Sequence, residues 1–217
     1  GDEIITQYPA GPCEALGLLK MDFLGLRTFT IIQDCCDMIQ KNHGCTIDPR
    51  SLPMEDTKTF DLLNKGSTIA VFQLESSGMR DLCRRFGVSR IEDVIALIAL
   101  YRPGPMQFLD EFITRKMGQT KVDYELPILR EILQETYGIM LYQEQVMQVV
   151  QTVAGFSLGE ADVFRYAMGK KKPEEMREQH QKYLTGCREK GVPEGKALSL
   201  WEKILKFGGY GFNKSHS

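Results

Sequence analysis

The sequence lacks a basic surplus. Its 27 Lys and Arg are balanced by 29 Asp and Glu, for a formal net charge of −2 over 217 residues, whereas a chain that binds nucleic acid over its whole surface usually carries a basic footprint. Any such binding must therefore be local. The six cysteines (Cys13, Cys35, Cys36, Cys45, Cys83, Cys187) include no C-x-x-C pair and no companion His at metal-ligand spacing, which argues against a zinc site and a disulfide framework and fits a reducing cytoplasm. Signal peptide, lipidation motif and bilayer-length apolar run are all missing, so the expectation is a soluble cytoplasmic protein with no membrane partner. Fixed-period repeats and low-complexity segments are absent too. What is present is 42% hydrophobic content, enough to bury a real core in one large domain or two small ones. The chain opens at Gly1 without an initiator Met and stops at Ser217 inside the Gly-rich segment GGYGFNKSHS, which reads as a piece of a longer polypeptide.

Residues 17–27, GLLKMDFLGLR, organise the reading. As a strand, they place Leu19, Met21 and Phe23 on one face and Lys20 with Asp22 on the other. A charge on such a strand needs a partner. One reading is an ion pair at a sheet edge; the other is a metal-binding carboxylate beside an ammonium that meets phosphate.

The rest of the chain is predicted to be mainly α. Residues 1–16 read as an irregular lead-in, and a helix starts near Thr28 and stops at Asn42 and Gly44. Asp56 caps a short helix that Gly66 ends. TIAVFQLE, rich in β-branched and aromatic residues, is predicted to be a strand. A helix with Met79, Leu82 and Phe86 inward and Arg80 and Arg84 outward follows, then a capping box, Ser89 with Glu92, before a helix from Ile91 to about Tyr101. The RPGP segment breaks that helix and leaves Arg102 at its end. Further helices are predicted over 108–117, 126–133 and 143–154, from a second capping box (Ser157, Glu160) into GKKKP, from Pro173 to near Gly191, and around Trp201. A domain boundary near Thr28 divides the short β segment from the helices.

Four places interrupt this pattern: the Lys20/Asp22 pair, Arg102, the stretch from Arg165 to Lys172, and the terminal YGFNKSHS. Each has an ordinary reading as an ion pair, a helix-dipole partner, a solvated basic face or a turn. Together they suggest recognition of a polyphosphate with its magnesium: one carboxylate, several cations, flat faces in Tyr210 and Phe212, and donors in Asn213, Lys214, Ser215 and His216.

Six segments carry a resemblance across nearly the whole chain: GLLKMDFLGLRT, VFQLESSGMRDL, ALYRPGPM, TYGIMLYQEQVMQ, FSLGEADVFRYAMGKKKPEEM and GYGFNKSHS. They resemble, in order, signature segments of the C-family bacterial replicative polymerases, the DNA polymerase III alpha subunits. The resemblance implies that residues 1–28 are the C-terminal part of a palm and residues 29–217 most of a helical fingers domain. It implies that Asp22 is a catalytic aspartate and magnesium ligand, that Lys20 meets the incoming dNTP, and that Arg165 is the first of a phosphate-gripping pair. The second residue of that pair, often Arg, is Tyr166 here, with Lys170 or Lys171 as possible substitutes. His216 resembles a residue near the nucleotide sugar, with Tyr210 nearby; Asn213, as a donor in the terminal segment, is expected to bind the dNTP too, and Arg102, which lies in one of these segments, is expected on our own reading to contact phosphate. The implied partners are primer–template DNA and dNTP, with a sliding clamp and other replisome subunits meeting regions outside this chain. The implied Asp-x-Asp pair lies upstream, so the chain alone is expected not to polymerise. The competing readings are a non-catalytic helical module that binds nucleotide or nucleic acid, and a helical scaffold with an exposed apolar groove.

Overall fold

The computed structural model describes residues 4–21, 27–170, 173–208 and 210–216. It divides into two compact units, Gly1–Pro53 and Met54–Ser217.

In the first unit, the predicted irregular lead-in contains a short helix, α1 (Ala10–Ala15). Pro12 fits because it falls in the first turn, where the missing N–H has no helical acceptor anyway. Gly17, at φ 87°, turns the chain out of the helix. The expected strand over 17–27 is not formed in its described part, residues 17–21, which carries no strand or β-bridge. A strand is held by its neighbours' hydrogen bonds, and no neighbouring strand stands here among the described residues. Residues 22–26, and with them Asp22, lie outside the described residues. α2 (Arg27–His43) starts and stops close to the predicted positions, with Lys41 and His43 in its last turn and Gly44 in the left-handed region beyond it.

The second unit opens with α3 (Thr57–Asn64), where the Asp56 carboxylate accepts from the Thr59 N–H at 3.1 Å. The predicted strand over 68–75 is instead a pair of turns. Ala70 and Gln73 sit at φ 65° and 63°, which breaks the two-residue alternation a strand requires. The buried Thr68 hydroxyl closes the loop by donating to the Leu74 carbonyl at 2.6 Å. Val71 and Leu74 pack inward, while Ile69 and Phe72 remain exposed.

α4 (Ser77–Phe86) is capped by Ser76 and ended by Gly87. Before α5 (Ile91–Leu100), the expected Ser89–Glu92 box is replaced by Ser89 with Asp93: the Ser89 N–H and hydroxyl donate to Asp93 at 2.9 and 3.1 Å. Asp93 is buried and lies 3.2 Å from Lys116, so the inward carboxylate has the better claim on both donors. The Arg102–Pro105 break leads through a 3₁₀ turn to α6 (Leu109–Lys116), and a second 3₁₀ turn leads to α7 (Arg130–Leu133). α8 (Gln143–Ala154), α9 (Leu158–Lys170), α10 (Pro173–Glu189) and α11 (Glu194–Gly208) complete the array. The box at the start of α9 forms as predicted, with Ser157 donating to Glu160 and the Glu160 N–H to Ser157.

Two apolar clusters hold this unit. Val146, Val149, Val150 and Val153, the predicted stripe of α8, pack with Phe164, Tyr183, Trp201 and Ile204 from α9, α10 and α11. Phe86, Leu97, Leu100 and Phe112 gather α4, α5 and α6 with Leu141 and Tyr142, and Phe207 packs against both clusters. Each fully buried side chain of this size contributes about 1.5–3 kcal/mol. α8 is thus fixed on its apolar side, and its first turn is held as a rigid platform.

Candidate functional site

The segment before α8 is set by one buried side chain. Gln145 accepts from the Leu141 and Tyr142 N–H groups at 2.8 and 3.0 Å, and donates to the Thr136 hydroxyl at 2.8 Å and the Ile132 carbonyl at 3.2 Å. With its polar atoms satisfied, this buried amide rigidifies the turn. The terminal segment docks on it. The Phe212 N–H donates to the Leu141 carbonyl at 3.1 Å, and the Gln143 N–H donates to the Phe212 carbonyl at 2.9 Å. Tyr142 and Phe212 thereby form a parallel bridge, the one bridge among the described residues.

Arg102 closes the same segment from the side. Proline at 103 and 105 stops α5, so the Arg102 side chain folds back: its Nε donates to the Ala99 carbonyl at 3.2 Å and its Nη2 to the Tyr210 carbonyl at 3.1 Å. Its guanidinium lies 4.4 Å from the Phe212 ring centroid, within cation–π range. Burial lowers the pKa of this guanidinium from its ordinary value, though the group stays charged. The Tyr210 ring lies so close to Gly104, at φ 102°, that a Cβ there would come 2.5 Å from it, which explains the glycine in RPGP.

Arg165 approaches from α9. It donates from Nε to Asp162 at 2.9 Å and from Nη1 to the Gln143 side chain at 3.5 Å, and its Nη2 lies 2.8 Å from Asp162. Gln143 therefore touches both Arg165 and the terminal segment. Lys214 is held by two carboxylates, with Nζ 2.6 and 2.8 Å from the Glu135 carboxylate and its N–H directed at Glu144. The Asn213 side chain accepts from the Ser215 N–H at 3.0 Å, and the Asn213 carbonyl accepts from the His216 N–H at 3.0 Å, leaving the His216 side chain exposed. Tyr142 is buried beneath; burial raises its phenol pKa, and nearby Glu135 adds to the rise.

A family model described as the bacterial DNA polymerase III alpha subunit finger domain matches residues 28–191. A DNA polymerase III subunit alpha of Thermus aquaticus is 51% identical over 98% of this chain, which spans 18% of that relative. Subunits of the same name from Bacillus subtilis and Escherichia coli K12 are 47% and 46% identical over 98% and 100% of the chain, covering 19% and 20% of their own lengths. The chain belongs to the bacterial DNA polymerase III alpha subunit family. It spans about a fifth of the length of these curated relatives.

Of the residues that the resemblance to this family singles out, the structure brings together Arg102, Arg165, Tyr210 and Asn213 around the start of α8, with His216 at the end of the docked segment. Lys20 is exposed in the first unit. Lys170 ends α9, and Asp22 and Lys171 lie outside the described residues. Among the described residues, no group of three or more His, Cys, Asp or Glu could hold a metal ion. No helix among the described residues is long and apolar enough to cross a membrane. Gln143, Glu135 and Glu144 do not stand out in the sequence, although TYGIMLYQEQVMQ contains Gln143 and Glu144 and begins one residue after Glu135. Their contacts reach residues about seventy to eighty positions away, beyond any local spacing rule.

Proposed function

We propose that this chain supplies the fingers part, and over residues 1–28 the end of the palm, of a replicative DNA polymerase subunit that adds dNTPs to a primer 3′ end on template DNA. The observation that carries the proposal is that Arg165 and the aromatic terminal segment, which Arg102 holds, converge on the first turn of α8. The Arg165 side chain is 33% exposed, and a guanidinium has five N–H donors, more than the contacts with Asp162 and Gln143 use. It keeps donor capacity for a triphosphate, two of whose oxygens can accept together from the planar arginine fork. Tyr210, 44% exposed, offers a flat face for base or sugar, and His216 stands at the sugar side. Arg102 supports Tyr210 and adds positive charge behind it.

Magnesium belongs to this proposal with Asp22 among its ligands, the other carboxylates coming from the upstream Asp-x-Asp pair that the resemblance implies. When bound, it supplies charge stabilisation for nucleotidyl transfer. The chain's described residues contribute binding and orientation of the nucleotide. The isolated chain is accordingly expected not to extend a primer. The test is single-nucleotide incorporation by the full-length subunit and its Arg165→Ala variant. A raised KM for dNTP with unchanged primer–template affinity supports the reading, and an unchanged KM refutes it.

A further inference from the structure

Lys214 lies in the segment that offers donors to a nucleotide, yet its ammonium is engaged by Glu135, at 2.6 and 2.8 Å. Its N–H is directed at the Glu144 carboxylate, 3.2 and 3.3 Å from the two oxygens, and its Nζ lies 5.3 Å from the Tyr142 ring centroid. Glu135 is held from behind, because Arg90 donates to its carbonyl at 3.0 Å while also pairing with the buried Asp93. At the other end of the segment, Arg102 holds the Tyr210 carbonyl. Between these anchors, the backbone makes a single isolated bridge, too little pairing to fix a register by itself.

We infer that the Glu135–Lys214 ion pair is a latch that sets where Tyr210, Asn213 and His216 stand relative to Arg165, so that both members are positioning residues for the incoming nucleotide. The inference rests on the nucleotide reading of the site. The two side chains are 31% and 37% exposed. A pair so accessible to water adds little to folding stability. Its value lies in placement, since shifting a binding group by about 1 Å costs up to about a hundredfold in rate. The carboxylate accepts the ammonium through both oxygens, so losing either partner leaves the segment's C-terminal end held by the Lys214 N–H on Glu144, while the bridge and Arg102 still hold its start.

The experiment is single-nucleotide incorporation on primer–template by the full-length subunit carrying Glu135→Gln, Lys214→Met, both together, Lys214→Arg, or Arg165→Ala. Glu135→Gln and Lys214→Met are each expected to raise the KM for dNTP about five- to tenfold with kcat within about twofold, and the double variant is expected to be no worse than either. Lys214→Arg, which keeps the charge, is expected to recover most of the loss. Melting temperatures of all variants are expected to stay close to that of the parent. Unchanged KM in the latch variants with a raised KM in Arg165→Ala overturns the latch alone. Additive single effects, or a joint fall in kcat and melting temperature, overturn it as well by making the pair ordinary scaffolding. Unchanged KM in Arg165→Ala and the latch variants together overturns the latch and the nucleotide reading.

Discussion

The arginines of α4 and those beside α8 differ in what their donors meet. On α4, the Arg80 Nε donates to the Gly66 carbonyl at 2.9 Å, and Arg84 donates to the Lys65 carbonyl at 3.2 Å and pairs with Asp81. Arg85 pairs with Asp110. The first two close the C-terminal end of α3, where unpaired carbonyls carry the negative end of the helix dipole. Arg102 instead holds a segment with exposed aromatic and imidazole groups, and Arg165, distant in sequence, reaches Gln143, on which that segment docks. A basic cluster in sequence thus records helix periodicity and capping, while the proposed site draws on cations that only the fold brings near one segment.

Three variants would break or sharpen this contrast. Arg102→Ala removes the donor to the Tyr210 carbonyl and the cation over Phe212 at once, and is expected to lower kcat/KM for dNTP in the full-length subunit by about tenfold to a hundredfold. Steady-state incorporation measures this, and a value within twofold of the parent, by the ordinary tenfold-per-1.4 kcal/mol scale, would remove Arg102 from the site. Arg80→Ala is expected to do the converse: it destabilises the chain by about 1 kcal/mol in thermal or urea melting, the usual worth of a hydrogen bond, and leaves dNTP kinetics alone. A kinetic defect with unchanged melting would erase the distinction between the two groups of arginines.

The smallest effect concerns the cap of α9, the helix that carries Arg165. Hydrogen bonds from Lys182 and Ser157 hold the Glu160 carboxyl down to about 2 from its ordinary 4.5. Because the folded value is the lower one, the stabilisation is present above pH 4.5 and is lost as pH falls toward 2. The carboxylate is exposed, so salt weakens the effect. The melting difference between the parent chain and Glu160→Gln is expected to be present near neutral pH and to vanish in acid; a difference independent of pH would contradict the assignment.

Much of the fold is legible where one local rule suffices. The Asp56 cap, the Ser157–Glu160 box, the valine stripe of α8 and the proline break after Arg102 are all visible in the sequence and all present in the structure. The 68–75 turns are not, because Ala70 and Gln73 enter the left-handed region without the Gly or Asn that usually announces it. Asp93 in place of Glu92 as partner of Ser89 depends on burial beside Lys116, a contact with another helix. Within the site, Arg102, Arg165 and Tyr210 stand out by residue type and by resemblance. Gln143, Glu135 and Glu144 do not, since a polar residue in a helix start or turn looks the same whether or not a distant segment docks on it.

The most direct measurement is the KM for dNTP in single-nucleotide incorporation by the full-length subunit, compared between the parent and Arg165→Ala at matched primer–template saturation. Loss of a charge-assisted contact to the triphosphate is expected to raise that KM by at least about tenfold while primer–template affinity is retained. An unchanged KM, or an equal loss of primer–template binding, would contradict the claim that the start of α8 gathers the fingers' share of a nucleotide site.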